Sequence, residues 1–97
     1  MYKIHFKDYG ITNTKYCFIR LNGHNPINTL HIATLCMNFS SVDGKLLAVY
    51  IPEHRLAKYP ELSKAIHETL FPLLKGAHKS DAEKIINTFI IIYDDVK

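Results

Sequence analysis

Apolar and polar side chains alternate along residues 2–7, near the start of the chain. Residues 16–21 form a second short segment, with Cys17, Ile19 and Leu21 on one face of a strand and Tyr16, Phe18 and Arg20 on the other. A period of two residues is typical of a β-strand with one buried face and one hydrated face. Between the two segments lies a short loop that contains the turn-forming residues Gly10 and Asn13. The pattern therefore predicts two strands joined as an antiparallel β-hairpin.

A helix is predicted after this hairpin, because Asn25 suits an N-cap and Pro26 suits the first helical position. Residues that would share one helical face then recur at three- and four-residue steps: Ile27, Leu30, Ala33, Thr34 and Met37. This spacing predicts a helix that ends at about residue 38. A connection of that length suits a crossover, so the strands on either side of it are expected to be parallel if they are neighbours.

Six consecutive apolar residues occupy positions 46–51, between the turn pair Asp43-Gly44 and Pro52. So short a run between such breakers predicts a strand. Because the run does not alternate, we expect the strand to lie inside the sheet or to have both of its faces covered. The alternative is that its second apolar face remains open for a partner.

Two further helices are predicted in the C-terminal part of the chain. Pro60 opens the first of them, and Pro72 kinks or ends it because proline lacks a backbone N–H. Ser80 and Glu83 have the spacing of a capping box at the start of the second.

The apolar pattern after this capping box predicts a helix over residues 81–93. Residues 88–94 are also rich in β-branched and aromatic side chains, which is typical of a strand. A shorter helix followed by a fourth strand is therefore the alternative.

These elements predict a single α+β domain over residues 1–97. Its expected core is a small single-layer mixed sheet of three strands with an N-terminal β-hairpin, packed against three helices in the order β-β-α-β-α-α. If residues 88–94 form a strand, the sheet has four strands and the order becomes β-β-α-β-α-α-β.

The composition is that of a folded protein, with 47% hydrophobic and 22% charged residues. No apolar run approaches the length of a membrane span, and the first residues lack the hydrophobic segment of a signal peptide, so we expect a cytoplasmic protein without a membrane partner. Cys17 and Cys36 lie far apart within apolar patterns and are expected to be buried free thiols.

Motifs that bind nucleotides or form a nucleophile elbow do not occur, and the six histidines show no close pair with the spacing of a zinc site. We therefore expect no metal and no cofactor. One enzymatic alternative is a metal-independent ribonuclease, with His24 and His54 as base and acid and Arg55 on the developing charge. It requires that the two predicted parallel strands bring these residues to one edge of the sheet.

The hydrated face of the first strand is the strongest candidate for a binding surface. The net charge of +3 and an isoelectric point near 8.9 favour an acidic partner. The expected contacts lie on this face and on the loop after the apolar strand: Lys3, His5, Lys7, Glu53, His54 and Arg55. The leading hypothesis is a non-enzymatic inhibitor or immunity-type protein, encoded by a phage or mobile element, that binds an acidic-surfaced protein or a second copy of itself.

A basic cluster near the start of the last predicted helix supports a second hypothesis. Helix N-termini bind phosphate well, so a nucleic-acid-binding regulator would use this cluster. Its candidate residues are Lys75, His78, Lys79 and Lys84.

Overall fold

Four antiparallel strands form one sheet in which neighbours along the chain are also neighbours in space. The computed structural model describes residues 2–22, 29–51 and 56–96. The strands are β1 (Tyr2–Tyr9), β2 (Thr14–Asn22), β3 (Thr29–Phe39) and β4 (Leu46–Tyr50). The predicted α+β class is confirmed, whereas the predicted mixture of parallel and antiparallel strands is wrong.

The helical segments all follow the last strand, apart from a short 3₁₀ turn at Gly10–Thr12. After the last strand, the chain forms in order a second 3₁₀ turn (Leu56–Lys58), α1 (Pro60–Ala65), a π-helical turn (Ile66–Leu70), α2 (Phe71–Leu74) and α3 (Lys79–Val96). The π-helical turn lies just before Pro72, where the regular ladder of hydrogen bonds cannot continue, and the helix ends two residues after this proline as predicted.

The predicted N-terminal hairpin is confirmed. β1 and β2 pair from Tyr2↔Leu21 to Tyr9↔Thr14 without a break in register. The turn between them ends at Asn13, whose φ of 53° lies in the left-handed region that asparagine tolerates better than most residues.

The helix predicted over residues 26–38 is wrong, because residues 29–39 form β3. A β-bulge explains the misleading spacing: Ile19 pairs with Ala33 and Arg20 pairs with His31, so Ile32 is an extra residue in β3. The bulge puts residues three apart on the same side of the strand, which imitates a helical period. The predicted cap residues, Asn25 and Pro26, lie outside the described residues.

The apolar run at positions 46–51 forms an edge strand and not a central one. Within the described ranges β4 pairs only with β3, and the side chain of Leu47, which lies opposite no β3 residue, is 71% exposed. β2 and β4 run in the same direction but β3 separates them, so they are not the parallel neighbours that the sequence predicts.

The helices cover one face of the sheet, and the core lies between them. Cys17, Ile19, Leu35 and Met37 from the central strands are fully buried. They belong to one apolar cluster with helical residues, among them Leu62, Ile66, Leu70, Leu74, Ala82, Ile86, Phe89 and Ile90. Residues 88–94 lie within α3, so the predicted C-terminal helix is confirmed and the alternative strand is wrong.

The predicted capping box of α3 does not form. The amide of Ser80 donates a hydrogen bond to Nδ1 of His78 at 3.1 Å, and the Ser80 hydroxyl lies 2.9 Å from the same nitrogen. Glu83 contacts Lys15 of β2 instead of the backbone at the helix start. An imidazole therefore caps α3, and the predicted capping carboxylate ties the helix to the sheet.

The turn between β3 and β4 is pinned to the start of α3. Leu46 donates to the carbonyl of Ala77, Lys79 donates to the carbonyl of Gly44, and both distances are 2.8 Å. Gly44 has φ +72°, and a Cβ at this position would overlap the imidazole of His78. A glycine is therefore required both by the backbone and by the close approach of the ring.

Gly44→Ala should lower the free energy of unfolding by about 1–3 kcal/mol more than Gly76→Ala. Gly76 is the matched control, because its φ is +73° but a Cβ there would have no neighbour within 4 Å. Urea denaturation of both variants measures the difference. Replacing His78 with alanine should make Gly44→Ala less costly, and equal costs for the two glycine variants would contradict the close packing of the ring on Gly44.

A nearly buried ammonium connects β2 to α3. Lys15 Nζ lies 2.7 Å from Oε2 of Glu83 and 3.9 Å from a carboxylate oxygen of Asp8. Only 6% of Lys15 is exposed. Because an unpaired buried charge is costly, the role of Glu83 is to compensate this ammonium.

Glu83→Gln should destabilise the fold by about 1–3 kcal/mol, since it leaves the Lys15 ammonium without its closest counter-charge. Lys15→Met should cost less, because it removes the charge and fills the same space with apolar atoms. Urea denaturation tests this order, with Glu68→Gln on the exposed side of the helices as a control that should change stability by less than about 0.5 kcal/mol. A larger loss for Lys15→Met than for Glu83→Gln would show that the ion pair itself is stabilising.

Candidate functional site

The face of the sheet that points away from the helices carries the candidate site. We call it the outer face. Strand pairing and burial assign to it side chains from all four strands: Lys3, His5, Lys7, Tyr9, Thr14, Tyr16, Phe18, Arg20, His31, Thr34, Cys36, Asn38, Ala48 and Tyr50. None of these residues is an aspartate or a glutamate.

A row of rings crosses the outer face, with one ring from each of the first three strands. The centroids of His5 and Phe18 are 6.0 Å apart, and those of Phe18 and His31 are 6.2 Å apart. The row follows from the register, since His5 pairs with Phe18 and the bulge brings His31 onto the same face. Both imidazoles are exposed and Phe18 is half-buried.

A second line of rings runs along β2 and towards its turn. Tyr16 lies 6.2 Å from Phe18, and Tyr9 packs edge-on against Tyr16 at 5.4 Å. The two lines meet at Phe18. Together they give the outer face a continuous aromatic centre, unlike the small polar side chains that commonly line a hydrated sheet face.

Cations on β1 and β2 lie beside this aromatic centre. Lys3 pairs with Arg20 beside the first row, and both are exposed. Lys7 Nζ lies 5.3 Å from the centroid of the Tyr9 ring, within the range of a cation–π contact. Because none of the described carboxylates projects from the same face, the positive charge of these side chains is uncompensated there.

Two contacts on the outer face shift the pKa of their members. A hydrogen bond with the Cys36 thiol raises the pKa of Tyr16, so the phenol stays neutral at physiological pH. A hydrogen bond with Tyr9 raises the pKa of Lys7, so the ammonium stays charged. The Tyr16 ring is thus a neutral surface and Lys7 is a cation under ordinary conditions.

A shallow depression of about 510 Å³ lies at one end of the aromatic centre. Rings and hydroxyl groups line it together: Tyr9, Thr12, Thr14, Tyr16, Phe18 and Thr34. A planar ligand would find aromatic surface and hydrogen-bonding hydroxyls in the same place.

Half of the predicted protein-binding residues lie on the outer face. Lys3, His5 and Lys7 are exposed there, as the alternation of β1 predicts. The other half, the loop residues Glu53, His54 and Arg55, lie outside the described residues. β1 pairs with β2, as the predicted hairpin requires, and the apolar strand β4 lies at the opposite edge of the sheet.

One premise of the ribonuclease alternative does not hold in the structure. His24, His54 and Arg55 lie outside the described residues. The parallel pairing on which the hypothesis depends does not occur, because β3 separates β2 from β4.

The basic cluster of the nucleic-acid alternative serves other contacts in the structure. His78 caps α3, and Lys79 Nζ lies 3.5 Å from the side-chain oxygen of Asn13. Lys84 lines an apolar groove of about 530 Å³ between the helices, whereas Lys75 lines a different groove beside β4. The two grooves share no lining residue.

Sequence reasoning missed the central part of the outer face. The alternation of β2 already sets Tyr16, Phe18 and Arg20 opposite the buried positions, so the signal for these three was present. His31 carried no such signal, because its segment had the spacing of a helix.

Among the described residues, no three histidine, cysteine, aspartate or glutamate side chains come together as potential metal ligands. Nor does this part of the chain contain a helix long and apolar enough to cross a membrane. No protein-family model, curated protein or solved structure shows significant similarity to the chain. The function must therefore be inferred from the geometry and chemistry of the chain itself.

The two cysteines should differ sharply in reactivity. Cys17 is fully buried, and this burial strongly raises the pKa of its thiol, whereas Cys36 lies half-buried on the outer face. Ellman's reagent should modify Cys36 in the native protein and Cys17 only after unfolding, because the thiolate is the reactive form. Alkylation followed by mass spectrometry identifies the site. Rapid modification of a Cys36→Ser variant would contradict the burial of Cys17.

Proposed function

We propose that this protein is a non-enzymatic binding module that takes an anionic macromolecule on its outer face. The observation that carries the proposal is the composition of this face: Lys3, Lys7 and Arg20 surround half-exposed rings, and none of the described carboxylates projects beside them. Charge of one sign on a continuous surface attracts a partner of the opposite sign and accelerates its association.

The exposed rings also support a role in binding, because a sheet face does not need aromatic side chains to remain hydrated. An antiparallel sheet can hydrate one face with small polar residues at no loss of packing. Here Tyr9 is 41% exposed and Tyr50 is 59% exposed, although neither ring contributes to the buried core. A role in contacting a partner accounts for aromatic side chains in these positions.

Acidic proteins and nucleic acids both carry the negative charge that the cations of the outer face attract. The acidic protein partner of an inhibitor or immunity-type protein, encoded by a phage or mobile element, remains a prediction from the sequence. The exposed positions of Lys3, His5 and Lys7 support the part of this prediction that places binding residues on β1.

Reversing the charges of the outer face should weaken binding to a polyanion. The test variant is Lys3→Glu/Lys7→Glu/Arg20→Glu, and the control is Lys58→Glu/Lys64→Glu/Lys75→Glu on exposed positions of the helical side. Each reversal changes the charge by two units, so both variants go from +3 to −3. On a heparin column the test variant should elute at clearly lower salt than the control, because only it loses the cations of the outer face.

Circular dichroism spectra of both variants should match the wild type, so that elution reports binding and not folding. If the two variants elute at the same salt concentration, net charge alone controls retention. The outer face is then not the binding site.

A further inference from the structure

We infer that the macromolecule bound by the outer face is a single-stranded nucleic acid. The inference rests on the proposed function, since it requires that the outer face binds an anionic partner. It names the class of that partner from the kind of apolar surface that the face offers and from the arrangement of the cations.

The apolar surface in the centre of the outer face is aromatic and not aliphatic. No leucine, isoleucine, valine or methionine is among the outer-face residues, whereas Tyr9, Tyr16, Phe18 and Tyr50 are. The bases of a nucleic acid stack on aromatic side chains regardless of the nucleotide sequence, because every base has a π-face.

The rings are distributed so that several bases can be contacted at once. His5, Phe18 and His31 lie on three successive strands, at centroid distances of 6.0 and 6.2 Å. Four-stranded sheets that bind single-stranded RNA stack two or three bases on rings of neighbouring strands. In a duplex the bases stack on each other, so their faces are not available to such a surface.

The cations of the outer face lie next to the rings. Lys3 and Lys7 lie on either side of His5 along β1, four residues apart, which corresponds to about 14 Å in an extended strand. Arg20 pairs with Lys3 next to Phe18. Lysines are depleted in protein–protein interfaces, whereas in single-strand binding sites basic residues follow the phosphate backbone beside the stacked bases.

The depression beside the rings adds hydrogen-bonding groups for the edge of a base. Its hydroxyl groups come from Thr12, Thr14 and Thr34. Tyr16 and Phe18 line the same depression. A base that stacks on these rings can therefore bond to hydroxyl oxygens at its edge, as bases unstacked from a single strand do.

Fluorescence anisotropy with a labelled oligonucleotide of about 12 nucleotides tests the inference, because single-strand sites on such domains span about 4–16 nucleotides. The probe is used as single-stranded DNA, as single-stranded RNA and as a duplex with its complement. We expect at least one single strand to bind about tenfold or more tightly than the duplex, and the comparison of DNA with RNA identifies which is preferred.

Phe18→Leu should weaken single-strand binding about 5- to 150-fold, the range that corresponds to the loss of one base–ring contact. Phe71→Leu is the matched control, because Phe71 lies on the helical side beside His67. The Phe18 variant should keep the heparin elution of the wild type, since leucine removes a stacking surface and no charge. The triple charge-reversal variant of the outer face should lower the salt slope of binding by about 2.

Protection of Cys36 locates the bound strand. The thiol lies on the outer face opposite Tyr16, so a saturating oligonucleotide should slow its reaction with Ellman's reagent at least about fivefold. An unchanged rate with oligonucleotide bound would overturn the inference.

The outcomes separate the inference from the proposed function. If the outer-face cations are needed for heparin binding but Phe18→Leu leaves oligonucleotide binding unchanged, or poly-glutamate binds as tightly as the single strand, the partner is an acidic protein surface and the inference fails alone. If the charge-reversal variant and its control behave alike on heparin, both fail. Preferential single-strand binding that Phe18→Leu weakens supports both.

Discussion

The helices pack against one face of the sheet only, and this constraint determines what each strand position can carry. Every described helix except the short turn at Gly10–Thr12 follows β4, and its apolar side meets the inner face of the sheet. Inner positions such as Ile19 and Leu35 are consequently fully buried. The opposite face has no cover from the described chain, so its side chains must be compatible with water while the strands remain paired. In a sheet covered on one side, alternate residues of each strand therefore have different roles. Those that face the helices stabilise the fold, and those that face away are available to bind a partner.

Two local patterns sufficed for the parts of the fold that the sequence predicts correctly. In β1 and β2 the alternation has a period of two, and nothing in the local sequence competes with it. In α3 the apolar residues follow a helical stripe over many turns, so the strand preference of residues 88–94 is outweighed by packing against the core. The capping-box prediction was wrong for a different reason. Glu83 pairs with the buried ammonium of Lys15, a residue 68 positions away in the sequence.

The candidate site depended on information that no local pattern contains. That Lys3 lies beside Arg20, and His5 beside Phe18, is a consequence of the register between β1 and β2. The alternation shows which residues share a side of one strand, but strand order decides which side chains of different strands meet. The sequence prediction paired the two hairpin strands correctly, but it placed a helix where β3 lies, so it did not set His31, Thr34 and Cys36 beside β2 on the outer face.

The bulge at Ile32 connects the wrongly predicted helix to the site itself. Counting back from Thr34 in a regular strand, Ala33 points inward, Ile32 outward and His31 inward. The extra residue reverses this parity, so Ile32 and Ala33 are both buried while His31 reaches the outer face beside Phe18. A bulge interrupts the hydrogen-bond ladder and re-aims the side chains that follow it, and bulges are over-represented next to functional sites. Here it is the feature that extends the row of rings from two strands to three, because without it the imidazole would point toward the apolar core.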